Sequence, residues 1–205
     1  MITDYITRIM ANARLHLTGA VDDAIKVELF NSVDEFCRQT DIWHEDIIFP
    51  TLAGTDIVYD IVPTLGTIIR LVDLRRVDGN ASLRGSMRVP GELVLPFSYD
   101  AGTQVRVTVS LAPLDPVQAG SEFPEIAQWI WERHFQALTH GVIYKMASQP
   151  DKTYSDAGLV KFHGLKFRNE IGVARADNVR ANTTDGQAWR FPHFANQRNY
   201  STQVS

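Results

Sequence analysis

Cysteine is almost missing from these 205 residues: Cys37 stands alone, which excludes a disulfide within the chain and any thiolate metal cluster. Long apolar runs are missing too. Even Ile57 to Val62 is interrupted by Asp60, and nothing approaches the roughly 18 consecutive apolar residues of a membrane span. Glycine is scattered rather than clustered. Gly79, Gly85 and Gly91 stand singly, without the lysine-serine pair or the following helix that a phosphate-cradling loop requires. Among the six histidines no two stand four apart on one helix, so no metal site is expected. Positive charge is not in excess either: the formal net charge of -4 argues against a protein that grips nucleic-acid phosphates.

What is present is enough for a core, since 44% of the residues are hydrophobic and 21% charged. Ile6, Ile9, Ala13 and Leu17 recur at steps of three and four, the spacing of one helical face, and Thr18-Gly19 ends that helix. With Asp22 as N-cap, the series Ile25, Leu29, Val33, Phe36 and Cys37 repeats the pattern. Residues 1–50 are therefore expected to hold an antiparallel helical hairpin.

From Trp43 onward the period changes to two. Ile57, Tyr59 and Ile61 alternate with Val58, Asp60 and Val62; Ile69 and Leu71 follow; Asp78-Gly79-Asn80 is a turn signature. Leu93, Leu95 and Phe97, then Val105, Val107, Val109 and Leu111, read as further strands. Residues 51–115 are taken as an inserted antiparallel β region whose register the pattern leaves open.

Pro124, as a first-turn proline, opens a second helical region over 120–180, with Ile126, Ile130, Leu138 and Val142 in one stripe. After a break at Gln149-Pro150 comes a second stripe of Val160, Gly164, Phe167, Ile171 and Ala174, begun by Ser155-Asp156. Gly141 and Gly164 cost about 1 kcal/mol each against alanine in a helix, and close helix packing is the expected compensation. Residues 181–205 have no period and few aliphatics. Their aromatics Trp189, Phe191, Phe194 and Tyr200 suit an arm that orders against a partner. The fold class expected is thus α+β, mainly α: a helical bundle with a small antiparallel β insertion and an extended C-terminal arm.

Chemistry finds little support. His44-Glu45-Asp46 near Cys37 is the densest titratable cluster, but no nucleophile motif surrounds the cysteine, and a loop after a core thiol is the plainer reading. Glu122, Glu125, Ser155 and Asp156 fit helix starts. Trp129, Trp131 and His134 could line a ligand pocket in a small binding or hydrolytic protein, although packing is the commoner use of such side chains. No catalytic, cofactor or metal residue is assigned, and the chain is read as a structural protein rather than an enzyme.

The residues Phe123-Pro124-Glu125-Ile126, the helix from Trp131 to Tyr144, the turn Gln149-Pro150-Asp151-Lys152-Thr153-Tyr154-Ser155-Asp156, the stretch Leu159 to Phe167, and Leu29 to Cys37 together resemble the head-to-tail connector, or adaptor, proteins of tailed bacteriophages. That resemblance implies a ring, usually of twelve copies, in the virion neck. Its partners would be the portal protein above and a tail or nozzle protein below, with genomic DNA passing through and no membrane. It also implies an arm that enters the portal, for which Trp189, Phe191, Phe194 and Tyr200 are the candidate contacts. A tail-completion or stopper protein of the virion is the alternative. Met1 to Leu17 holds Asp4, Arg8, Arg14 and His16 without an apolar block, so the chain is expected in the host cytoplasm during assembly.

Overall fold

The structure, a computed structural model, describes residues 2–79, 81–115 and 123–182. Two helices come first, α1 (Ile2–His16) and α2 (Asp22–Thr40). Six strands follow: β1 (His44–Pro50), β2 (Ile57–Asp60), β3 (Thr67–Arg76), β4 (Ser86–Met87), β5 (Glu92–Leu95) and β6 (Gln104–Ala112). Three helices close the described part, α3 (Gln128–Arg133), α4 (Phe135–Ala147) and α5 (Ala157–Asn182).

Each early helix buries the stripe its spacing foretold: Ile6, Ile9, Ala13 and Leu17 on α1, and Ile25, Leu29, Val33, Phe36 and Cys37 on α2. Full burial of side chains of this size contributes roughly 1.5–3 kcal/mol each. The start of α2 differs from expectation. Val21, extended at φ -86°, is the N-cap and makes no side-chain cap, so Asp22 sits in the first turn and acts through the helix dipole. At the other end Asp41 adopts the left-handed conformation at φ 50°, and its amide closes the helix on the Cys37 carbonyl at 3.0 Å.

The strands form two sheets of three, ordered β1-β6-β3 and β2-β5-β4, with every pairing antiparallel. In the first, β6 is central: His44 faces Ser110 across one edge and Thr67 faces Ala112 across the other. The second packs on it through the Phe49 and Tyr59 rings, 4.8 Å between centroids. Gly85 marks another close approach, since a Cβ there would stand 2.6 Å from Leu74 Cδ2 and 3.1 Å from Leu95 Cδ2.

This overturns the expectation of a mainly helical bundle carrying a small insertion. The protein is α+β, with five helices and two three-stranded sheets among the described residues. Leu74, Leu93, Leu95, Val105, Val107, Val109 and Leu111 from the strands share one continuous core with Leu29, Phe36, Ile130, Leu138 and Phe167 from the helices. A sheet that shares its core with the helices is a layer of the same unit, because neither face could be buried alone. Short strands hid the extent of this layer. The run Ile47-Ile48-Phe49 of β1 does not alternate, and β3 interleaves Arg70, Asp73, Arg75 and Arg76 with its apolar residues.

The second helical region also begins later than expected. Residues around Pro124 are not helical; α3 starts at Gln128 after Ala127, and Glu125 lies outside it. At His134 the backbone leaves the helical range (φ -112°, ψ 21°), which divides one expected helix into α3 and α4. Helix α4 is buried nearly all round, with Ala137, Leu138, Gly141, Val142, Ile143 and Met146 enclosed by its neighbours. Gly141 and Gly164 do serve close packing. A Cβ on Gly141 would meet Ser32 Cβ and Phe167 Cε2 at 3.0 Å, and one on Gly164 would meet the Tyr144 ring at 2.9 Å.

Candidate functional site

The proline-containing turn between α4 and α5 is tied to α2 rather than left as a loose loop. Gln149 Nε2 donates to Glu28 Oε1 at 2.9 Å, the Tyr154 hydroxyl donates to Gln149 Oε1 at 2.9 Å, and the Ser155 hydroxyl donates to the Gln149 carbonyl. Asp156 then caps α5, its Oδ1 accepting the Leu159 amide at 2.9 Å. Ser155 and Asp156 are thus the helix-start residues that their position suggested.

From this anchored start α5 runs 26 residues and presents two faces. Gly164, Phe167, Ile171 and Ala174 turn toward α4 and α2. On the opposite side Gly158, Phe162, Leu165, Asn169, Gly172 and Ala176 are exposed, at alternating steps of four and three. Phe162 and Leu165 are 55% and 57% exposed. Two large apolar side chains one turn apart, in line with small residues, fit a helix face that is covered on association. Lys161, Lys166, Arg168 and Arg175 flank that stripe. The sequence pattern of the inner stripe is stronger, because it contains more branched residues, and the outer one passes unnoticed beside it.

Three histidines converge where α1, α4 and α5 meet. His140 Nδ1 and His163 Nδ1 are 2.8 Å apart, one donating and the other accepting, and the His16 ring lies 5.2 Å from that of His163. Burial and the neighbouring imidazoles His140 and His16 push His163 down to about 4. Burial also lowers His140, against the attraction of Glu170. Such a hydrogen bond needs a neutral acceptor ring, which the lowered values supply. Among the described residues no group of three or more histidine, cysteine, aspartate or glutamate side chains is arranged to hold a metal ion. Sequence spacing could not reveal this cluster, since its members lie on three separate helices.

A second concave feature, of about 400 Å³, lies between the helices and the first sheet and is lined by His44, Trp129, Arg133, His134, Asp177 and Asn178 among others. His134 is pushed down to about 4, mainly by burial and then by Arg133, and its ring packs on Phe36 at 4.9 Å. Burial lowers His44 as well, and its Nε2 is enclosed without a hydrogen-bond partner. Trp131 does not share this cleft. It is fully buried in the core, so the expected grouping of Trp129, Trp131 and His134 is realised only for Trp129 and His134.

Cys37 is fully buried, and burial followed by Asp34 pushes its thiol up to about 12, far from a reactive thiolate. His44, Glu45 and Asp46 lie on β1 rather than in a loop. There Glu45 accepts the Thr64 amide at 2.8 Å and Asp46 accepts the Thr108 hydroxyl at 2.6 Å. The arm candidates Trp189, Phe191, Phe194 and Tyr200, and Glu122, lie outside the described residues. No helix among the described residues is long and apolar enough to cross a membrane. No protein-family model matches the chain, and no curated protein matches it in sequence.

Proposed function

We propose that this chain is a structural subunit of a tailed-phage particle, a head-to-tail connector that packs beside copies of itself in a ring between portal and tail. The observation that carries this reading is the outer face of α5. Its exposed Phe162 and Leu165, one turn apart and continued in line by the small residues Gly158, Gly172 and Ala176, form a strip of the kind that another protein surface covers. A ring wall built from such helices needs no catalytic machinery. The motifs around Phe123 to Phe167 and the order helices, strands, helices support the same assignment. In this reading the acidic net charge lets genomic DNA pass without adhering, and the arm read from the sequence as residues 181–205 engages the portal.

The test is stoichiometry in particles. Quantitative mass spectrometry of purified virions of the source should find this chain in a ratio near one to one with the portal protein. Its absence from particles would end the proposal. A tail-completion or stopper subunit would also be found in virions, but cross-linking would join it to tail proteins and not to the portal.

The cleft around Trp129 and His134 favours a second reading, a small-ligand binding protein, on the strength of the enclosed and unpartnered His44 Nε2. Saturable binding of a small molecule by the isolated chain, abolished by Trp129→Ala, would support it over the ring.

A further inference from the structure

The cations on the outer side of α5 have no carboxylate of their own. Lys161, Lys166, Arg168 and Arg175 are exposed, and none of them forms an ion pair among the described residues. Arg168 Nε donates to the Gly164 carbonyl at 3.1 Å, and Lys166 Nζ stands 5.9 Å from the centre of the Phe162 ring. The two acids of the helix are used elsewhere: Asp177 is held by Arg133 at 3.1 Å, and Glu170 is half-buried on the side of His140. On α2 the acids are engaged too, Asp22 with Arg14, Asp23 with Lys26, Glu28 with Gln149, Asp34 with Arg38 and Glu35 with Lys145. The α5 cations are thus left without a counter-charge from either helix.

Their placement is regular. Lys161, Arg168 and Arg175 recur every seven residues, about 10 Å apart along one side of the apolar strip, while Lys166 lies about 140° round the helix from Lys161, on the other side. Between them Phe162 and Leu165 are more than half exposed, and Gly158, Gly172 and Ala176 continue the strip over about 27 Å. A glycine inside a helix costs about 1 kcal/mol against alanine. Gly141 and Gly164 are explained by packing within the chain, whereas a Cβ at Gly172 would meet nothing within 4 Å, so the strip is open there to a close approach from outside.

An apolar line with cations on both sides calls for a partner that is apolar along its middle and acidic at its edges. A nucleic-acid duplex offers phosphates but nothing to cover Phe162 and Leu165, and a purely polyanionic surface leaves them in water. A second α5 would bring the same cations to the same rims. An amphipathic helix with carboxylates on both sides of its apolar stripe meets both requirements, and such helices dock through anchors at steps of three, four and seven.

We infer that the outer face of α5 docks an acidic amphipathic helix of another protein. Its apolar stripe covers Phe162 and Leu165, and its carboxylates meet Lys161, Arg168 and Arg175 along one side and Lys166 along the other. The inference goes beyond the connector reading and does not need it; in a virion the helix would belong to a protein that adjoins the connector.

The test uses the full-length chain and a fluorescein-labelled synthetic helix of about 20 residues, the length of the strip, with leucines at steps of three and four and glutamates on both sides. Fluorescence anisotropy at low salt should show saturable binding. A peptide with lysines in place of the glutamates, and polyglutamate of equal charge, should each bind at least about tenfold more weakly. Leu165→Glu, at an exposed position, should weaken binding of the acidic peptide at least about tenfold with an unchanged circular dichroism spectrum, as loss of an apolar anchor does. The double variant Lys161→Glu and Arg175→Glu should lose the acidic peptide and gain the lysine one, a reversal that no misfolded chain would show. Polyglutamate binding as tightly as the acidic helix would reduce the face to a field of charge and overturn the inference. So would the absence of any binding, or tighter binding of a short DNA duplex that the charge-reversed variant loses. Association of the chain with itself that Leu165→Glu abolishes would overturn it as well, in favour of a second copy. None of these readouts depends on the ratio of chain to portal in particles, which tests the connector reading by itself.

Discussion

The Ser110 hydroxyl donates a 2.9 Å hydrogen bond to Asp41 Oδ1, joining the central strand of the first sheet to the residue that ends α2. Arg70 of β3 donates to the other carboxylate oxygen, and Asn178 of α5 donates to the Asp41 carbonyl at 2.7 Å. One side chain with its backbone thus connects a helix end, two strands and the long helix. Asp41 is nearly buried and Ser110 fully so.

Replacing Asp41 by alanine should therefore destabilise the fold by roughly 2–4 kcal/mol, through an unsatisfied buried hydroxyl and a left-handed residue without a suitable side chain. Asp41→Asn keeps an acceptor and tolerates the conformation, so it should lose less than half as much. Urea unfolding distinguishes the two. The Arg70 partner is mostly solvent-exposed, and Arg70→Ala should cost no more than about 1 kcal/mol. Equal losses from Asp41→Ala and Asp41→Asn would mean that the carboxylate charge, rather than the acceptor, holds the junction.

Two glycines in the helical layer should respond in opposite directions to alanine. At Gly141 the added methyl meets Ser32 and Phe167 at 3.0 Å, and overpacking of about 1–3 kcal/mol outweighs the helix-propensity gain of about 1 kcal/mol. At Gly172 nothing lies within 4 Å, so Gly172→Ala should stabilise the monomer by up to about 1 kcal/mol. Thermal melts of the two variants at low protein concentration check both signs.

Acid should loosen the helical layer. Folding holds His134 and His163 down at about 4, against an ordinary value of 6.5, and lowers His140. Between those values the unfolded chain binds more protons than the folded one. The stabilisation from neutral imidazoles is therefore complete above about pH 6.5 and is lost progressively as the pH falls toward 4. Melting temperature should fall over that range, and His163→Gln should melt with a shallower pH dependence than wild type. An unchanged slope in that variant would remove His163 from the explanation.

Cys37 should be silent in the native state. With its thiol pushed up to about 12, the thiolate fraction at pH 8 is roughly a thousandfold below that of a free cysteine, and burial blocks access as well. Alkylation by iodoacetamide should proceed at the rate of global unfolding, and native-state labelling within minutes would contradict the buried position.

Deleting residues 183–205 should leave a folded chain, because that segment has few aliphatic side chains and no helical or strand period with which to build core. In the connector reading the deletion abolishes portal binding in a pull-down. Binding retained at full strength would dismiss those aromatics as portal contacts.

Local pattern determined a good deal about this protein. The buried stripes of α1, α2 and α5, the strand from Gln104 to Ala112, the Asp156 cap and the tight approach at Gly141 and Gly164 were all legible, since each depends on residues a few positions apart and on a period of 3.6 or 2. What depends on distant partners was not. The break at His134, the two sheets in one core with the helices, the Ser110 to Asp41 bond across 69 residues, and the meeting of His16, His140 and His163 follow from how the elements dock. Exposure belongs with these: Phe162 and Leu165 read as ordinary helix residues until the inner face of α5 is seen to be occupied by α2 and α4. Only the tertiary structure could decide which of two apolar faces was left over, because burying one face of a helix on its own core fixes which face remains for another chain.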